Sequence, residues 1–175
     1  TANTLAAIKA GAVAFSGTFC GIGERAGNAA IEEVIMALKI TQGKELNVKY
    51  EMLKEICDEV RKAANILLPP HKPIVGDNAF AHESGIHVDG ILKNPLLYEP
   101  FNPSIIGHSR TIMFGKHSGR ANLRYLLEKY SLPYTEEELI PLIKKVKQEA
   151  INKKRSLMEE EVLALYALQK FNRVP

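Results

Sequence analysis

Several things are scarce in this 175-residue chain, and each scarcity removes a class of function. There are only two cysteines, Cys20 and Cys57, and they lack metal-ligand spacing. A disulfide framework and a cysteine-rich zinc site are therefore excluded, and a reducing cytoplasm is the expected setting. Net charge is small: 23 basic against 20 acidic residues leave +3. That balance gives no argument for a nucleic-acid or membrane surface, although a slight positive excess suits an anionic small molecule. No apolar run approaches the ~20 residues of a membrane span. No signal peptide is visible, and there is no internal repeat or low-complexity tract. What is present is a 46% hydrophobic content, enough for a globular core.

One histidine pattern also fails a test. The stretch AFAHESGIHVDG, residues 79–90, nearly spells a zinc-protease helix. Such a helix needs histidines four apart on one face. His82 and His87 are five apart, which separates them by roughly 140° around a helix. Gly85 between them weakens a helix as well. The segment needs another explanation.

Periodicity organises the chain. TANTLAAIKAGA reads as a helix with Leu5, Ala6 and Ile8 on one side, ended by Gly11. AVAFSGTF, residues 12–19, reads as a short buried strand. CGIGERAGN is a glycine loop. AAIEEVIMALKI is a helix with Ile31, Val34, Ile35 and Leu38 at core spacing. Helix, strand, glycine loop and helix make the rhythm of an α/β unit with a parallel strand. The rhythm then stops. Residues 48–67 predict one amphipathic helix with Leu53, Ile56, Val60 and Ala64 inside, followed by the proline-rich linker LPPHKPIVGDN. A short helix to about Leu92, an ordered proline-rich loop, an extended segment in RTIMFGKHSG and three further helices complete the chain. Thr135 and Glu138 form a capping-box pattern, and Pro141 either kinks that helix or falls within its early turns.

Two places carry chemistry-bearing residues. GTFCGIGERAGN follows a predicted strand and opens a helix, where backbone N–H groups suit an anion or carboxylate. Its glycines run G-x-G-x-x-x-G, so it is not a dinucleotide fingerprint. The plain alternative is a helix start capped by Asn28. The second place is His87 beside its glycines. A histidine there suits either a structural role or proton transfer. Tyr98 could equally be a packing aromatic, and Lys116 with His117 a solvated turn.

GIGERAGN, AHESGIHVDGILKNP, YEPFNPSIIG and GKHSG, in this order and spacing, resemble the homocitrate synthase and 2-isopropylmalate synthase family. The resemblance runs from Thr1 to about Leu127. It implies an α/β fold: the C-terminal fragment of a TIM barrel, its last helix-strand-helix, followed by a mainly helical subdomain. The barrel end would occupy residues 1–45, a subdomain with linker and lid segments 46–130, and a C-terminal helical region 131–175. Members condense acetyl-CoA with a 2-oxo acid on a divalent metal (Mg, Mn or Zn). By matching position, the resemblance implies His87 and Tyr98 as catalytic groups delivered in trans to a homodimer-type partner. It implies substrate contacts from Gly21, Gly23, Glu24, Arg25 and His117, and a place near the metal for Asn28. His82 becomes a local structural group.

The departures from the family are as informative. Its metal-binding DRDGEQ-like segment and its HxHND segment are absent, the latter normally lying just before the equivalent of Thr1. A barrel needs roughly 200 residues or more, so an N-terminal barrel portion or subunit is expected as a partner. The abrupt start suits the C-terminal subunit of a split enzyme, or a truncated chain. Cys20 stands where relatives usually carry Asn. GIHVDGILKNP with YEPFNP is most similar to homocitrate synthases of the nitrogen-fixation type, which implies 2-oxoglutarate as acceptor. Isopropylmalate, citramalate and Re-citrate synthases are the alternatives, as is a non-enzymatic assembly or regulatory module.

Overall fold

The structure is a computed structural model and describes residues 1–171; the last four positions of the expected C-terminal helical region lie outside the described residues. The chain forms two compact units. One comprises Thr1–Phe80 and Pro100–Ser109, the other Ala81–Glu99 and the chain from Arg110 onward.

The first unit is built on three α-helices and turns. Helix α1 (Ala2–Lys9) buries no residue fully, and its Leu5 and Ile8 are half-buried. Helix α2 (Ile31–Gln42) buries Val34, Ile35, Met36 and Leu38, and ends at Gly43 in the left-handed conformation. That stop needs φ of 62°, which glycine adopts without strain. A single 3-10 turn, Tyr50–Met52, leads into helix α3 (Leu53–Ala63). The core joins Ile35, Met36, Tyr50, Leu53, Phe80, Phe101 and Ile106. Phe80 and Phe101 meet edge to face at 5.4 Å, the arrangement that ring quadrupoles favour.

Three expectations fail here for physical reasons. Residues 12–17 form no strand, and Val13 is fully exposed. A strand obtains its hydrogen bonds from neighbours. Among the described residues the expected strand, 12–19, has one bridge only, Thr18 with Ala30. Helix α3 buries Leu53 and Cys57, not the predicted 53-56-60-64 stripe, and Ala64 is exposed. Its buried face turns toward the glycine loop, where Cys20 Sγ lies 3.5 Å from the Cys57 carbonyl. Asn28 does not cap α2. The N-cap is Ala30, because the Asn28 amide is already engaged within the loop.

The second unit has a two-stranded parallel sheet and four helices. Strand β1 (Ala81–His82) pairs with β2 (Thr111–Ile112) in the register 81 to 111 and 82 to 112. Helix α4 (Gly85–Lys93) follows β1, and α5 (Arg120–Lys129), α6 (Glu136–Lys153) and α7 (Glu159–Phe171) follow β2. The Glu138 side chain accepts from the Thr135 backbone N–H at 2.9 Å, one half of the expected capping box. Pro141 sits inside α6 without ending it, although its ring nitrogen has no N–H to donate to the helix ladder. Leu123, Leu126, Leu127, Leu139, Leu142, Val146 and Val162 line the core. Each such side chain contributes about 1.5–3 kcal/mol on burial.

Candidate active-site segments

In the first unit the glycine loop closes on itself. Asn28 N–H donates to the Gly21 carbonyl at 3.0 Å, and Asn28 Nδ2 donates to the Ile22 carbonyl at 2.9 Å. A Cβ on Gly23 would stand 2.7 Å from that amide nitrogen, so only glycine fits so tight a fold-back. Gly27 has φ of 85°, the left-handed region. Glu24 and Arg25 are exposed at the tip, and no described residue bonds to either. Cys20 also has positive φ, at 63°. Its N–H donates to Glu32 Oε2 at 3.0 Å.

Glu32 is fully buried in α2, and Lys72 Nζ approaches its other oxygen to 3.2 Å while also pairing with Glu33 at 2.7 Å. Burial works to lower the Lys72 pKa, but the two carboxylates outweigh it and hold it above its ordinary value. Burial raises the Cys20 thiol, and it raises the Cys57 thiol far more, so both are protonated and poor nucleophiles at neutral pH.

In the second unit the sheet brings the two histidine motifs together. Gly85 N–H donates to the His117 carbonyl at 3.3 Å, and a Cβ on Gly85 would meet Gly119 Cα at 2.6 Å. Glu83 accepts from the His117 backbone N–H at 2.9 Å and from Ser156 Oγ at 3.2 Å. Asn122 is fully buried; its Nδ2 donates to the carbonyls of Glu83 and Met113, and its Oδ1 accepts from Gly119 N–H. The polar residues of HESG and GKHSG thus tie backbone to backbone, while the His117 imidazole stays exposed. Beside this junction runs a cleft of about 510 Å³ walled by Glu83, Lys116, Lys154, Arg155 and Ser156.

His87 and Tyr98 do meet. Both are exposed, and their rings stack with centroids 4.4 Å apart and planes tilted by 39°. The next residue, Glu99, is buried, with His82 Nε2 at 3.1 Å and Arg110 gripping both carboxylate oxygens. Burial alone would raise the Glu99 pKa; hydrogen bonds from Arg110 and His82 overcome it and hold the carboxyl below its usual range. Sequence reasoning missed Glu99, Arg110 and Asn122 as organisers. Glu99 stood in the YEP motif, but nothing in spacing marks a charge as buried.

Asn28, the one residue expected near the metal, has no full set of donors gathered around it among the described residues. A divalent ion needs several oxygen or nitrogen donors. Among the described residues no group of three or more His, Cys, Asp and Glu converges on one point, and Asn28 offers a single amide.

Comparison with known proteins accounts for the motifs. Residues 1–62 match the family described as HMGL-like, and residues 74–154 match the one described as homocitrate synthase post-HMGL domain-like. Homocitrate synthase 1 of Nostoc sp. is 47% identical over 98% of this chain. The chain belongs to the homocitrate synthase and 2-isopropylmalate synthase family. A 2-isopropylmalate synthase of Caldanaerobacter subterraneus is 50% identical over 95% of the chain, and an (R)-citramalate synthase of Methanocaldococcus jannaschii is 49% identical over 85%. The chain spans less than half of these relatives: 46%, 43% and 30% of their lengths respectively. The residues expected at the site fall into two groups. Gly21, Gly23, Glu24, Arg25 and Asn28 lie on the loop of the first unit; His87, Tyr98 and His117 lie in the second.

Proposed function

We propose that this chain is part of an acyltransferase that condenses acetyl-CoA with a 2-oxo acid, 2-oxoglutarate in the first instance, to give homocitrate. The observation that carries the reading is the His87–Tyr98 stack. A histidine and a tyrosine filling space would be buried; these two are exposed and share one face. The relatives named as homocitrate synthases, including those of Nostoc sp. and Methanocaldococcus jannaschii, support the substrate assignment.

The reaction asks for two proton movements. The acetyl methyl group loses a proton, and the resulting carbanion attacks the 2-oxo carbon, whose oxygen becomes an alkoxide and takes a proton. An imidazole that can hold or release a proton near neutral pH serves either step. The Tyr98 hydroxyl, carried on a ring against that imidazole, orients or relays the proton. Water then cleaves the thioester and releases CoA, which makes condensation irreversible. Polarising the oxo group would fall to a divalent metal. Its ligands are to be sought in the part of the relatives this chain does not match.

The same reading assigns residues 1–45 to the end of a TIM barrel, 46–130 to the subdomain and the rest to a helical region, with an N-terminal barrel portion as partner. Ile86, Leu96 and Leu97 are 77%, 73% and 60% exposed beside the stacked pair. Such an apolar surface suits a partner subunit that receives His87 and Tyr98. Among the described residues, no helix is long and apolar enough to cross a membrane.

The test is CoA release by the intact synthase containing this chain, offered 2-oxoglutarate, 3-methyl-2-oxobutanoate, pyruvate and oxaloacetate in turn. 2-Oxoglutarate is expected to react fastest; a clear preference for another acid reassigns the substrate. Full activity in His87→Ala would point instead to a non-enzymatic assembly role.

A further inference from the structure

If His87 and Tyr98 are the working pair, as proposed above, the residues that hold them together matter as much as the rings. Gly90 lies three positions after His87, on the same face of α4. A Cβ on Gly90 would stand 2.7 Å from Tyr98 Cε2, well inside contact distance. The tyrosine ring therefore rests on bare helix backbone, and rests there only because residue 90 has no side chain.

The backbone on either side of Tyr98 is equally constrained. Before it, Asn94 Oδ1 accepts from Leu96 N–H at 3.1 Å and starts a 3-10 turn, and Tyr98 N–H donates to the Pro95 carbonyl at 3.1 Å. After it comes Glu99, whose side chain is only 1% exposed. Arg110 Nε and Nη2 donate to its two oxygens at 2.7 and 2.5 Å, and His82 Nε2 lies 3.1 Å away. His82 belongs to β1, and Arg110 immediately precedes β2. A buried carboxylate is an expensive way to fill space, because desolvation cancels much of the attraction. A bidentate arginine fork is, however, directional. It fixes Glu99, and so its neighbour, to the two-stranded sheet.

We infer that Gly90 and the Glu99–Arg110–His82 network are positioning residues that hold the Tyr98 ring against His87. None of them is catalytic: Glu99 is too deeply buried to meet a substrate. The inference deepens the proposed function and rests on it for its kinetic consequence, but the geometry can be tested separately.

Gly90→Ala is the discriminating variant, since alanine favours the helix while its methyl group displaces the ring. In the intact enzyme, the melting temperature should stay level or rise, and kcat should fall about tenfold to a hundredfold with KM for acetyl-CoA little changed. NMR of the histidine-labelled protein gives a readout free of activity. The stacked Tyr98 ring shields the His87 imidazole protons, assigned with His87→Gln, and in Gly90→Ala those resonances should move downfield. Arg110→Lys keeps the charge but loses the fork, and should lower kcat in the same sense. Wild-type kcat together with unmoved His87 resonances in Gly90→Ala would overturn the inference. So would an Arg110→Lys protein that melts earlier yet turns over at the wild-type rate. If the wild-type enzyme released no CoA with any oxo acid, the proposed function would fall, whereas the resonance shift in Gly90→Ala would still decide the positioning role.

Discussion

The glycine loop of the first unit and the paired histidine motifs of the second use the same residue types to opposite ends. In the loop, glycines fold the backbone back on itself, and the charged side chains, Glu24 and Arg25, project into solvent without partners among the described residues. In HESG and GKHSG, glycines let two backbones touch, Glu83 and Asn122 are spent joining them, and Ser118 closes the turn of the second motif by accepting from Gly115 N–H. The rings of His87, Tyr98 and His117 remain outside, and so does Lys116. A motif therefore does not announce which of its residues do chemistry. Glycine frees the backbone, and burial then decides which polar groups are left over for a substrate.

The largest expected effect separates free groups from spent ones. His87→Ala should lower the rate of CoA release by about 10²–10⁴-fold, and its thermal melt should match the wild type because His87 is exposed. A melt lowered in proportion to activity would mean that His87 is a structural group and that the contrast between the two kinds of residue fails.

Asn122 gives the converse. Truncation to alanine removes three hydrogen bonds and takes from the Glu83 carbonyl and the Gly119 N–H their side-chain partner, while the Met113 carbonyl keeps Ser118 Oγ at 3.3 Å. Each stranded buried group costs about 1–3 kcal/mol, so Asn122→Ala should destabilise by about 3 kcal/mol in denaturant titration. Glu24→Ala, at the exposed loop tip, should change stability by no more than about 0.5 kcal/mol. Equal effects would erase the distinction between the two motifs.

This contrast also explains what the sequence could and could not reveal. Helices α2 and α4 to α7 were legible because their apolar residues recur at helical spacing, and the Thr135–Glu138 cap because its pattern is local. Residues 12–17 misled, since an apolar run signals burial but cannot supply the neighbouring strands that a ladder needs. Glu32 and Glu99 were invisible for a related reason. Their burial depends on Lys72, 40 positions away in the chain, and on Arg110, 11 positions away, and no periodicity encodes such pairings. The pattern marks His87 as a candidate without deciding between a structural role and proton transfer, and Tyr98 is as readily a packing aromatic; the catalytic roles of both rest on the family resemblance.

Acid should act on the second unit through Glu99. Its folded pKa is lowered, so the native state prefers the ionised form. The associated stability is fully present above the unfolded value of about 4.3 and is lost as pH falls through the lower folded value. Melting temperature should therefore decline below about pH 4.3. In Glu99→Gln the melt should start lower at neutral pH and decline less steeply in acid. Glu136, Glu159 and Glu161 also have lowered values in this unit, so some acid sensitivity should persist in the variant. An unchanged acid slope would assign the whole effect to those surface carboxylates.

Two backbone positions in the same left-handed region, one in each unit, sharpen the comparison further. Gly27 has φ of 85° and Lys154 has φ of 53°. Glycine carries no penalty there, whereas a residue with a Cβ pays about 1–2 kcal/mol. Gly27→Ala should thus destabilise by about 1–2 kcal/mol, with an added cost because its Cβ would press on the Gly21 carbonyl. Lys154→Gly, at the end of α6, should relieve strain and stabilise by up to about 1 kcal/mol. The two substitutions run in opposite directions for one reason, and paired denaturant titrations can check the sign of each. A stabilised Gly27→Ala would mean that the loop's fold-back is not fixed by its glycines, and the contrast between a self-closed loop and a cross-tied motif would lose its physical basis.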